Sequence, residues 1–167
     1  MQAKNADVLS GWMLNWATKC TITVHPTLDD NEAREIILGR EPAFQAPYDE
    51  VGDEPKHGET LYMIKYQFKE SKRLEGQYMF ANMTKEQEDA NAGATRTLGH
   101  WYNLGTGCGM VVSAAKSAKD LYKCALNWTA LCDMDISPVL TDAAARAVIR
   151  ARPDHKEKAE ALMSQRG

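Results

Sequence analysis

No apolar run in this chain approaches the roughly 18–20 residues that cross a bilayer, and its opening, MQAKNADVLSGW, lacks the charged-then-apolar layout of a secretion signal. No basic stripe runs through it either. The formal net charge is −3, and the densest basic cluster, Lys69–Arg73, is diluted by Glu70 and Glu75. Nucleic acid, which rewards clustered cations, is not an expected partner. The four cysteines, Cys20, Cys108, Cys124 and Cys132, form no C-x-x-C pair and have no histidine at ligand spacing, so no metal site is expected. Cys124 and Cys132 read as small buried hydrophobes, reduced, in a soluble protein of the cytoplasm or an organelle interior. There is no Ser-His-Asp set, no H-E-x-x-H, no P-loop and no EF-hand, and no cofactor is expected. Gly105–Gly109, GTGCG, has β-patterned residues on both sides. A phosphate loop must lead from a strand into a helix, so this stretch predicts a hairpin turn instead.

What the chain does have is a repeat. With a constant offset of 112 residues and no gaps, twelve identities fall between Leu9–Arg40 and Leu121–Arg152. Among them Trp16 meets Trp128, Cys20 meets Cys132, Pro26 meets Pro138, Asp30 meets Asp142, and Arg34 meets Arg146. Self-similarity of this length signals a repeated structural unit. The later copy predicts an amphipathic helix through Leu121, Cys124, Ala125 and Trp128, with Ser117 and Asp120 at its start. CDMDISPV then alternates as a half-buried strand, with Pro138 at its end or on an edge. Thr141 or Asp142 caps a last helix that stops before Pro153. The earlier copy predicts the same order, a helix through Trp12 and Trp16, a strand CTITVHP that pairs with a sheet, and a helix capped at Asp29. Trp16 and Trp128 are expected in the core. Asn15 and Asn127 are expected to tie their helices to backbone.

Between the copies, residues 41–59 carry three prolines and two glycines without periodicity and read as a linker. TLYMIKYQF alternates as a strand of strong β-formers. Thr84 opens the capping-box pattern TKEQ, which predicts a short helix over 85–92 stopped at Gly93. TLGHWYNL and CGMVVSAA flank the GTG turn as a hairpin. The expected organisation is a partial unit over 1–40, the linker over 41–59, a βαββαβ unit over 60–152 and a charged tail over 153–167. The fold class is α+β, ferredoxin-like, preceded by a helix–strand–helix half-unit.

Alternation puts His100 and Tyr102 on one strand face and Trp101 on the other. If that face looks inward, His100 and Tyr102 line a pocket with Tyr62 or Tyr66, with histidine as a base and tyrosine as a hydrogen-bond donor. Trp128 would close it from the helix side. A partly exposed histidine beside a core aromatic is the plainer alternative. His25, His57 and His155 read as strand-end, linker and tail residues.

The stretch GHWYNLGTGCGMVVSAAKSAKDLYKCALNWTALCDMDISPVLTD resembles the second half of small ferredoxin-like domains in the dimeric α+β-barrel superfamily, and LYMIKYQF resembles their opening strand. SKRLEGQYMFANMTKEQEDANAG departs from the cleaner first helix of those domains. The resemblance implies paired four-stranded sheets, across a homo-oligomer or between tandem units. It also implies a site between sheet and helices. Some members are cofactor-free monooxygenases or isomerases, and others bind haem or small organic acids. The resulting expectation is a domain that binds a small organic molecule through Tyr66, His100, Tyr102 and Trp128, with cofactor-independent chemistry. The competing expectation is a structural or protein-interaction module assembled through barrel pairing, with no chemistry.

Overall fold

The computed structural model describes residues 6–47 and 55–164. Local capping chemistry sets most helix boundaries. Asp29 accepts the Glu32 N–H while the Glu32 carboxylate accepts the Asp29 N–H, a reciprocal box that starts α2 (Asp30–Leu38). Gly39, at φ 64°, ends that helix by donating to the Glu35 carbonyl. Thr84 and Gln87 form the same box for α4 (Lys85–Ala92). Ser117 and Thr141 cap α5 (Ala118–Leu126) and α6 (Asp142–Arg150) through their hydroxyls. The remaining helices are α1 (Ala6–Leu14), α3 (Arg73–Ala81) and α7 (His155–Ser164).

The strands are β1 (Leu28–Asp29), β2 (Thr60–Phe68), β3 (Arg96–Asn103), β4 (Cys108–Ala115) and β5 (Cys132–Val139). They form one open antiparallel sheet in the order β1-β3-β4-β2-β5. The protein is thus a mixed α+β fold. β3 and β4 are joined by the hairpin turn at Gly105–Gly107, as the sequence predicts. Pro138 sits in β5, an edge strand, where one missing N–H costs no ladder bond on the open side. An irregularity between Thr97 and Gly99 inserts one extra residue into β3. It flips the alternation, so Thr97 and His100 both face the helices. That face packs in three overlapping clusters, centred on Tyr102 and Phe80, on Ile64 and Leu121, and on Phe68 and Leu131. The other face carries a smaller cluster of Leu61, Leu98 and Ala114 against Val112 and Val139.

Two expectations are corrected, and two are filled in. CTITVHP is not a strand: residues 20–27 form no ladder, and pairing begins only at Leu28 and Asp29, opposite Tyr102 and Trp101. A strand gains its stability from a neighbour: β5, the matching strand of the later copy, has β2 beside it, whereas among the described residues nothing pairs with residues 20–27. Trp16 is 45 % exposed rather than core. The link from β2 to β3 holds α3 as well as the expected α4. The charged tail is helical over His155–Ser164. The linker reading lies partly outside the described residues, but its start is pinned: Asn31 exchanges two hydrogen bonds with the Ala46 backbone. α1 and α5 occupy matching positions 112 residues apart, as do α2 and α6.

Candidate functional site

Tyr66 on β2 and His100 and Tyr102 on β3 point to the helix-covered side of the sheet and converge. His100 Nε2 lies 3.2 Å from the Tyr66 hydroxyl, and its Nδ1 lies 2.5 Å from the Tyr102 hydroxyl and 3.3 Å from an Asp30 oxygen. The His100 and Tyr102 rings are 4.0 Å apart, and Tyr66 meets His100 edge-on at 5.6 Å. Tyr102 donates to Asp30 at 2.9 Å. With that proton committed, the Tyr102 oxygen and Asp30 are both acceptors toward Nδ1. The partners therefore assign the imidazole proton to Nδ1 and leave Nε2 to accept from Tyr66. The result is a chain, Asp30–His100–Tyr66. Gly109, opposite Tyr66 in the ladder, makes room for it: a Cβ there would sit 2.2 Å from the Tyr66 hydroxyl.

Asp30 and Arg34 stand out in the sequence only as matches of the repeat, not as site candidates. They are two of the most deeply buried side chains, 1 % and 0 % exposed. Arg34 Nε binds Asp30 at 2.8 Å, one of its terminal nitrogens meets the Phe80 carbonyl at 2.9 Å, and the other pairs with Glu88. Its guanidinium lies 4.1 Å from the Phe80 ring centre. One side chain of α2 thereby joins α3 and α4. The Asp–Arg spacing of four was a visible signal, but the same pair at Asp142 and Arg146 is solvent-exposed, so spacing alone does not find the buried one.

Burial alone would raise the Asp30 carboxyl, but the hydrogen bond from His100, with the charge and hydrogen bond of Arg34, outweighs it and holds the group below the usual carboxylate range. His100 is shifted down by burial, against the opposing pull of Asp30, so its resting form is neutral. Burial, then the Asp30 charge, pushes the Tyr66 phenol well above its ordinary value. Glu88 is raised by burial despite Arg34. Burial pushes the Cys132 thiol up to about 11 and raises Cys124.

Beside this chain is a cavity of about 100 Å³ between the sheet and α3, α4 and α5. Tyr66, His100, Tyr102 and Trp128 all line it, so the structure brings the four sequence candidates together. The Trp128 indole N–H is held at 3.0 Å by Asn91 of α4, which also accepts from Asn127. Asn127 thus ties helix to helix, not helix to backbone. His25, His57 and His155 do not line the cavity. Among the described residues no group of three acidic, histidine or cysteine side chains could hold a metal, and no helix is long and apolar enough to cross a membrane.

A family model, a domain of unknown function named DUF3303, matches residues 60–152, more than half of the chain. The chain belongs to the DUF3303 family. No curated protein and no solved structure matches it. The matched DUF3303 region contains Tyr66, His100, Tyr102 and Trp128, whereas Asp30 and Arg34 lie outside it.

Proposed function

We propose that this DUF3303 protein binds a small organic molecule between its sheet and helices, and that His100 and Tyr66 form an acid–base pair facing it. The observation that carries the reading is the Asp30–His100–Tyr66 chain at the wall of a cavity. A neutral imidazole with a bare Nε2 can take the Tyr66 proton while the Tyr66 oxygen takes one from a ligand. Asp30 would steady the resulting imidazolium. This transfer needs no cofactor and suits the proton-moving step of an isomerase-type reaction. The test is ligand-observed NMR of uncharged fragments against the full chain and against His100→Gln. Saturable binding that weakens in the variant is expected. Absence of binding by every fragment would overturn the reading.

The strand order β3-β4-β2-β5 with helical crossovers supports assigning residues 60–152 to the ferredoxin-like folds. The matched helix positions 112 residues apart support the internal duplication. In both copies a cysteine thiol approaches the tryptophan carbonyl four residues earlier, Cys20 to Trp16 and Cys132 to Trp128.

A second reading, an assembly module, draws on the other sheet face, where Leu61, Val112 and Val139 cluster and the Trp101 ring lies over Gly99. A second copy of this chain, presenting the same face, would complete a paired-sheet barrel. Sedimentation should then show a dimer that Trp101→Glu weakens, and a monomer at every concentration would exclude it.

A further inference from the structure

The cavity has a second polar feature away from His100. Thr97 of β3 and Ser113 of β4 are direct ladder partners, and both line the cavity. Ser113 is 3 % exposed and Thr97 is half-buried, and no hydrogen bond joins either hydroxyl to another described residue. Hydroxyls away from bulk solvent are ordinarily satisfied, so two neighbouring ones at the wall of a hollow point to something that fills it. The rest of the wall is mainly apolar and aromatic, including Ile64, Phe80, Val111 and Met134.

Charge narrows the occupant further. No lysine or arginine lines the cavity, and Arg34, which pairs with the lining Glu88, is spent on Asp30, Glu88 and the Phe80 carbonyl. Glu88 does line it. A carboxylate or phosphate would therefore leave water for a mainly apolar site with no free counter-charge and one acidic neighbour, and an ammonium would find Glu88 already paired with Arg34, so either ion makes a costly transfer. Size narrows it again: an apolar cavity of roughly 150 Å³ accepts one benzene, so this one suits about four to six non-hydrogen atoms.

Resting on the small-molecule reading above, we infer that the ligand is a compact, uncharged alcohol or ketone. Its oxygen meets the Thr97 and Ser113 hydroxyls, and its hydrocarbon part faces the aromatic walls. A ligand hydroxyl can also donate to the Tyr66 oxygen, whose own proton is held by His100.

The test uses small rings of no more than six non-hydrogen atoms with one changing group: cyclopentanol, cyclopentanone, cyclopentene, cyclopropanecarboxylate and cyclopentylammonium. Each is titrated into the full chain by ligand-observed NMR. The alcohol and ketone are expected to bind about fivefold tighter than cyclopentene, the worth of one neutral hydrogen bond, and the two ions not to bind. In a Thr97→Val, Ser113→Ala double variant the fivefold preference should vanish while cyclopentene binding stays. Tighter binding of either ion overturns the inference and leaves the small-molecule reading standing. Equal binding of alcohol and cyclopentene by the natural chain, as expected if ordered water alone satisfies the hydroxyls, also overturns it. Failure of all five to bind overturns both.

Discussion

The Asp30 carboxylate lies 3.3 Å from His100 Nδ1, across seventy residues of chain. It comes from the first turn of α2, outside the family-matched region, and meets a histidine inside it. Asp30 is in turn fixed by Arg34 one helical turn later, so the orientation of His100 depends on a segment that the domain boundaries leave out.

Replacing Arg34 tests that dependence. Arg34→Met removes the cation between two carboxylates, Asp30 and Glu88, and leaves the Phe80 carbonyl without its donor. Breaking a buried pair from one side costs about 3–5 kcal/mol. The urea midpoint should fall accordingly, while Arg146→Met, at the exposed counterpart, should change it little. Equal losses from the two variants would refute the difference in role.

Stability should depend on pH through His100. Its folded-state affinity for a proton is lowered, so below about pH 6.5 the unfolded chain takes up a proton that the folded protein resists. Stability is then full above that value and declines as pH drops toward the folded-state value. Asp30, also shifted down, adds a further loss below its ordinary value of 3.8. Urea unfolding from pH 7.5 to 5 should show the decline in the natural chain and a flatter profile in His100→Gln. An unchanged slope in the variant would assign the effect elsewhere.

Much of this was legible in the sequence, and the reason is range. The caps at Asp29, Thr84, Ser117 and Thr141 act over three residues, and the pairing of His100 with Tyr102 follows from strand alternation. Both are local rules. The strand reading of CTITVHP went astray because its local pattern is sound and its missing partner is not local. Asp30 and Arg34 escaped for the same reason: their burial is decided by α3, α4 and β3, which no spacing within α2 reports. The exposed twin pair in α6 carries the same letters.

Gly109→Ala should disturb the site without replacing any of its polar groups. The new methyl would overlap the Tyr66 hydroxyl and the Trp101 carbonyl, and the second is backbone that cannot swing aside. A destabilisation of about 1–3 kcal/mol is expected for such overpacking. Loss of the Tyr66–His100 contact should also raise the exchange rate of the Tyr66 hydroxyl proton by NMR. A variant with natural stability and an unchanged Tyr66 resonance would show that the glycine is not needed for clearance.

The thiols should react in order of exposure and ionisation. Cys20 is exposed, whereas Cys132 is buried with its thiol pushed up to about 11. Iodoacetamide at pH 8 should label Cys20 first and Cys132 last, with Cys124 also slow, as followed by mass spectrometry of digested samples. Labelling of Cys132 at the rate of Cys20 would contradict the buried placement.

The extra residue in β3 serves both faces of the sheet at once. Regular alternation ending at His100 and Tyr102 would turn Leu98 toward the helices and Thr97 away from them. With the irregularity at Leu98 the greasy residue goes to one side and the hydroxyl to the other, opposite Ser113. Deleting Leu98 would leave Thr97 and Gly99 on consecutive partners, Ser113 and Val112, in a regular ladder, with the hydroxyl still facing the helices and only the leucine lost from the other side. The bulge thus adds an apolar side chain to one face without turning a neighbour away from the other.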